Sequence, residues 1–275
     1  MDTTTPAATA TLRVRGADLY YELRGNGPLI ALHAAPMDAD SFGPLAELLV
    51  VDHTVLTSDP RGINRSSVDH TDQDVTPEMR ADDLAALLRH VDAGPAIVFG
   101  SSGGAVSALA LTQAHPGLVD TVIAHEPPLA ELVGDRDEIR RQTVDMVETY
   151  LAGDRRGAWS RFMQTANIDL PAGLFEAMFG GPIEGQAALD EHFAFAHMEY
   201  ATTFWKPDLP TLRGTDVNLV IGIGEDSTNQ LCDRTSRALA AETRIEPTKF
   251  PGGHIGFAED PAAFAARMRD VLGAV

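Results

Sequence analysis

Residues 95–114 read PAIVFGSSGGAVSALALTQA, and the fold follows from what this stretch can do. Its first half is a short apolar run, the pattern of a strand buried on both faces. From Gly103 onward it is rich in alanine and leucine, the pattern of a helix. Between the two, Gly100-Ser101-Ser102-Gly103-Gly104 matches G-x-S-x-G. On such a sharp strand-to-helix turn the central serine, Ser102, is held in strained geometry with its hydroxyl exposed. Small residues two positions to either side let strand and helix approach without clashing. The Gly103 N–H would then lie at a helix N-terminus, where partial positive charge favours a developing oxyanion. Ser101 is off the centre of the pattern and is not the candidate.

Outward from this turn, strand and helix patterns alternate. TLRVRG, LYYELRG, PLIALHA and HTVLTSD precede it as strand-like runs, with FGPLAELLV and TPEMRADDLAALLRHVDA as helices. VDTVIAH, VNLVIGI and RIEPTKF follow as strands, with TSRALAAE and PAAFAARMRDVL as helices. Such alternation predicts an α/β fold with a mostly parallel sheet covered on both faces. The alternation breaks over residues 131–213, where the pattern is helical and ten of the 17 aromatic residues gather. The expected division is a mobile tail over 1–10, a core over 11–130 and 214–275, and a helical insertion over 131–213.

Composition narrows the class. The chain has 275 residues and a formal net charge of −19. An acidic surface repels phosphate backbones and anionic lipid, so neither nucleic acid nor a membrane is an expected partner. MDTTTPAATA has no basic and apolar sequence of the kind that directs secretion, and no run of 18 apolar residues occurs. The single cysteine, Cys232, excludes an internal disulfide and a multi-thiolate metal site. A cytoplasmic protein without metal or organic cofactor is expected, possible as a homo-oligomer.

A serine hydroxyl needs a base, and the base is expected to be a histidine held by a third group. His254 stands in FPGGHIGF, a glycine turn after the last strand-like run. Serine first and histidine last is the chain order that suits this fold. A second oxyanion donor is expected from the turn after PLIALHA, and the Ala35 N–H is the candidate there. His33, at the end of that run, reads as a brace for the turn.

With HAAP (33–36), DPRG (59–62), GSSGG (100–104) and PGGH (251–254) in this order, the chain resembles the α/β-hydrolase superfamily over nearly its whole length. The resemblance implies that residues 131–213 form a helical cap, with the substrate pocket between cap and core over Ser102. GSSGG followed by AHEPP (124–128) and FPGGHIGF is similar, more narrowly, to zearalenone-lactonase-type hydrolases. That likeness implies Glu126 as the acid that orients His254. In most of the superfamily the acid follows a later strand, here within VNLVIGIGEDST, so Glu225 and Asp226 remain alternatives.

The expected reaction is hydrolysis of a carboxylic ester or lactone of a small-molecule substrate through an acyl-enzyme. Ser102 attacks, His254 moves the proton, and the N–H groups of Ala35 and Gly103 hold the oxyanion. C–C bond hydrolysis, acyl transfer or cofactor-free perhydrolysis could use the same triad, and a non-catalytic binding protein could share the fold. Epoxide and haloalkane hydrolysis on this fold need a carboxylate where Ser102 stands. Phe162, Met163, Phe179, Met198 and Trp205 in the helical insertion are the candidate substrate contacts, suited to a bulky apolar or aromatic group.

Overall fold

The computed structural model describes residues 7–273. Its sheet contains β1 (Ala8–Val14), β2 (Ala17–Gly25), β3 (Leu29–Ala35), β4 (Thr54–Ser58), β5 (Ser67–Val68), β6 (Ala96–Ser102), β7 (Val119–His125), β8 (Asn218–Gly224) and β9 (Thr248–Phe250). The order across the sheet is β1-β2-β4-β3-β6-β7-β8-β9, with β5 paired to β2. From β4 to β9 neighbouring strands on this path are parallel, and β2 runs antiparallel to β1, β4 and β5. This is the α/β-hydrolase fold, with a mostly parallel central sheet.

Helices α1 (Gly43–Leu49), α2 (Pro77–Val91) and α3 (Gly103–Ala114) lie between these strands along the chain. Six more follow β7 without an intervening strand: α4 (Arg136–Leu151), α5 (Arg155–Ala166), α6 (Ala172–Phe179), α7 (Gly185–Phe193), α8 (Glu199–Thr203) and α9 (Leu209–Gly214). After β8 come α10 (Leu231–Thr243), α11 (Gly256–Glu259) and α12 (Pro261–Gly273). Thr76 caps α2 by accepting from the Met79 N–H, Pro77 starts it, and left-handed Asp92 ends it.

Two apolar layers sandwich the sheet. On one face α2, α3 and α10 pack through Leu84, Leu109 and Leu239. On the other, α1 and α12 pack through Leu45, Phe264 and Met268. Every residue of β3 is buried, as expected of a parallel strand covered on both sides.

One local expectation changes, and two local features add to the sequence reading. β1 begins at Ala8, whose partner is Leu23, so residues 8–10 belong to the sheet and not to a tail. Residues 1–6 of that expected tail lie outside the described residues. β5 is two residues long, too short for an alternating pattern to reveal. Within the helical run 187–205 a π-turn at Ala194–Met198 separates α7 from α8.

Candidate active site

The site lies beyond the carboxyl ends of β3, β6, β7 and β8. Ser102 is the last residue of β6 and caps α3, at φ 54° and ψ −123°. The surrounding packing holds a non-glycine residue in this disfavoured backbone region. A Cβ on Gly100 would stand 2.4 Å from Gly104 O, and one on Gly104 would stand 2.2 Å from His33 O. The turn is therefore closed from both sides by backbone, and only glycine fits at those two positions.

Ala35 pairs in register with Ser102 across β3 and β6. Gly103 opens α3 directly beyond Ser102, and the structure brings all three to the wall of one cavity.

Glu126 follows β7 at φ 53° and is fully buried. Its Oε1 accepts from the Gly224 N–H at 2.8 Å, and its Oε2 lies 2.6 Å from His254 Nδ1. Burial alone would push the carboxyl up. The hydrogen bond and positive charge offered by His254 overcome it and hold the Glu126 pKa down to about 2.

His254 reaches this carboxylate because the loop after β9 crosses β8 at close range. A Cβ on Gly224 would meet Gly252 O at 2.7 Å and Gly253 O at 2.9 Å. Burial opposes a charge on His254, but Cys232 and Glu126 outweigh it and raise its pKa well above the ordinary value. Burial also pushes the Cys232 thiol up.

Glu225 and Asp226 are exposed, and neither carboxylate bonds to His254. Ser227, next along that loop, is fully buried with its Oγ close to Gly224 and without a hydrogen-bond partner. Among the described residues Ser102 Oγ also has no hydrogen-bond partner, His254 included; such bonds commonly tighten only when substrate binds.

Ser102, Gly103, Ala35 and His254 share a cavity of about 320 Å³. Its far wall comes from the helical segment after β7, including Met146, Trp159, Phe162, Phe195 and Met198. Ala194, Phe195 and Met198 belong to the π-turn, which changes the helix face turned to the cavity.

Of the candidate substrate contacts, Phe162 and Met198 line the cavity, whereas the three others do not. Met163 faces a separate surface depression beside Phe175. Phe179 stacks on Trp159 with ring centroids 4.3 Å apart. Trp205 sits in the core under α3, its Nε1–H donating to Glu78 at 2.7 Å. Apolar type marked these residues, but helical phase decides which way each one faces.

Two supporting features go beyond the residues singled out in the sequence. His125, the last residue of β7, is fully buried against Phe99, Phe250 and Phe264, with Nδ1 3.1 Å from Ser101 Oγ. Burial lowers its pKa to about 4. Arg80, also buried, donates to Ser107 Oγ and Thr202 Oγ1, each at 2.8 Å, and to Val75 O. Ser107 Oγ in turn donates to Gly103 O, so Arg80 ties α8 to the turn that carries Ser102. Nothing local in the sequence marks this role, because Arg80 stands among Glu78, Asp82 and Asp83 as a residue of an exposed helix face would.

Among the described residues, no three His, Cys, Asp or Glu side chains are grouped to hold a metal ion. No helix there is long and apolar enough to cross a membrane.

Fold and site together define a hydrolase of the α/β type. The family profile for the α/β-hydrolase fold matches residues 27–174, and the chain belongs to that family. It is 31% identical over 266 residues to the uncharacterized hydrolase YraK of Bacillus subtilis (strain 168), covering 95% of each chain. A zearalenone hydrolase of Cladophialophora bantiana is 33% identical over 119 residues, 42% of this chain and 45% of that protein. A hydrolase from Pseudomonas aeruginosa has a similar structure, with a TM-score of 0.72 at 18% identity, covering 96% of this chain and 98% of that one.

Proposed function

We propose that the protein hydrolyses a carboxylic ester or lactone through an acyl-enzyme on Ser102, with His254 as base and Glu126 as its orienting acid. The observation that carries this reading is the 2.6 Å contact between buried Glu126 and His254 at the cavity that Ser102 enters. In the first half-reaction Ser102 Oγ attacks the carbonyl carbon while His254 Nε2 takes the hydroxyl proton. The tetrahedral oxyanion is held by the N–H groups of Ala35 and Gly103. Collapse expels the alcohol, which leaves with the proton returned by His254. Water then attacks the acyl-serine with His254 again as base, releasing the acid and restoring Ser102.

Glu126 keeps the Nδ1 proton in place, so Nε2 is free to accept, and it stabilises the imidazolium as it forms. Residues 131–213 act as a cap whose apolar side chains enclose the substrate. The Trp159, Phe162 and Phe195 wall favours a bulky apolar or aromatic acyl or alcohol group. Partial likeness to a zearalenone hydrolase supports a lactone among the possible substrates.

A fluorophosphonate probe followed by peptide mass analysis tests the nucleophile. Label is expected on Ser102 alone, and Ser102→Ala should remain folded yet lose both labelling and turnover of p-nitrophenyl esters. Label on another serine, or full turnover by the alanine variant, defeats the reading.

A further inference from the structure

Glu199 has no part in the chemistry above, yet its side chain reaches the same cavity as Ser102 and His254. It is the first residue of α8, and its Oε1 accepts from Thr203 Oγ1 at 3.1 Å. Its other oxygen bonds to nothing among the described residues. The two further carboxylates of the cavity are differently placed. Glu191 is held by Arg155 at 2.7 and 2.8 Å and by the Trp159 N–H at 2.9 Å. Asp190 accepts from the Asn64 N–H and from Gln186. No Lys or Arg among the described residues lines this cavity, and Glu199 forms no ion pair there.

We infer that Glu199 is the specificity-determining residue of the cavity, hydrogen-bonding a hydroxyl group on the non-reacting part of the substrate and turning away substrates that carry a carboxylate. The inference rests on the cavity being the substrate site proposed above. A hydroxyl is the group that fits, because it both donates and accepts. It can therefore bond an ionised Glu199 as donor or a neutral one as acceptor.

That versatility matters at this position. Burial raises the Glu199 pKa, against the Thr203 hydrogen bond and the more distant charge of Arg80, so the neutral form is favoured relative to an exposed glutamate. An ammonium ion would lose its water in an apolar chamber. A ligand carboxylate would meet Glu199 with no Lys or Arg lining the cavity to offset it. An uncharged ester with an apolar body and one hydroxyl satisfies every wall.

The test uses methyl 3-phenylpropanoate, its three hydroxyphenyl isomers and its carboxyphenyl analogues. They are assayed for kcat/KM with the wild type, Glu199→Leu and Glu199→Gln, each checked for folding by circular dichroism. For the wild type, at least one hydroxyphenyl isomer should exceed the parent ester by about 10- to 100-fold, the scale of one well-placed buried hydrogen bond. The carboxyphenyl esters should be poorest. Glu199→Leu should erase the hydroxyl advantage, while Glu199→Gln should keep most of it and improve the carboxyphenyl esters. An unchanged ranking in folded Glu199→Leu overturns the inference.

Binding of the same esters to Ser102→Ala by calorimetry separates this idea from the hydrolase reading. Discriminating binding that needs Glu199, with no turnover by the wild type, defeats the hydrolase proposal and supports the role of Glu199. Turnover with a ranking indifferent to Glu199 does the reverse.

Discussion

Glu126 has both carboxylate oxygens engaged, one by the Gly224 N–H and one by His254. Replacing it with the nearly isosteric glutamine leaves the packing and removes the charge. Glu126→Gln should lower kcat by about 10³- to 10⁴-fold, the scale seen when a triad acid is neutralised. Glu225→Gln and Asp226→Asn, both at exposed positions, should keep near wild-type turnover; steady-state kinetics on the three variants decides between them. The pH profile follows from the same contact. His254 must be neutral to accept a proton, and its pKa is raised, so kcat/KM should climb with pH along a limb lying above 6.5. Without the Glu126 charge the imidazolium loses stabilisation. The limb of Glu126→Gln should accordingly move to lower pH, and a limb that stays in place counts against the pairing.

At this scale much was legible. Ser102 and His254 stand in short local motifs because a sharp turn needs glycines close by in the chain. Glu126 could be named as a candidate from HEPP, but its advantage over Glu225 and Asp226 depends on how the loop after β9 crosses Gly224, which no local pattern encodes. Met163, Phe179 and Trp205 show the limit most clearly, since an apolar side chain on a helix can face a pocket, a neighbour or the core.

Among elements, the turn from β6 into α3 is the most constrained. Gly104→Ala would press a Cβ to 2.2 Å from His33 O, a backbone atom of β3 that cannot swing aside. About 1–3 kcal/mol of stability should be lost to overpacking. Turnover should fall further than stability does, because the strand that yields also carries Ala35. Urea titration and ester kinetics on the same preparation test both halves, and near wild-type values in each would show the turn to be slack. The parallel strands were readable from apolar runs bounded by turn residues. β5 was not, being too short for a periodicity, and the π-turn within 187–205 was not, because one extra residue per turn leaves composition untouched.

For the molecule as a whole, the chamber of about 320 Å³ walled by Trp159, Phe162 and Phe195 is, on the proposed reading, what sets the size of the substrate. Across p-nitrophenyl esters from acetate to octanoate, kcat/KM should rise by at least about tenfold. The chamber buries each added methylene, at about 0.8 kcal/mol apiece where the fit is full. A steady fall with chain length would place the acyl group outside the cavity.

The position of His254 has one more consequence. Glu126 and His254 are 128 residues apart in the chain, and the histidine follows β9, whose place in the sheet is against β8. During translation the serine turn can form early, while its proton acceptor has yet to leave the ribosome. On the proposed triad, the nascent polypeptide carries a nucleophile without a base until the loop after β9 has emerged. On that reading hydrolysis begins only when β9 docks against β8, so ester turnover would report that this edge of the sheet has closed.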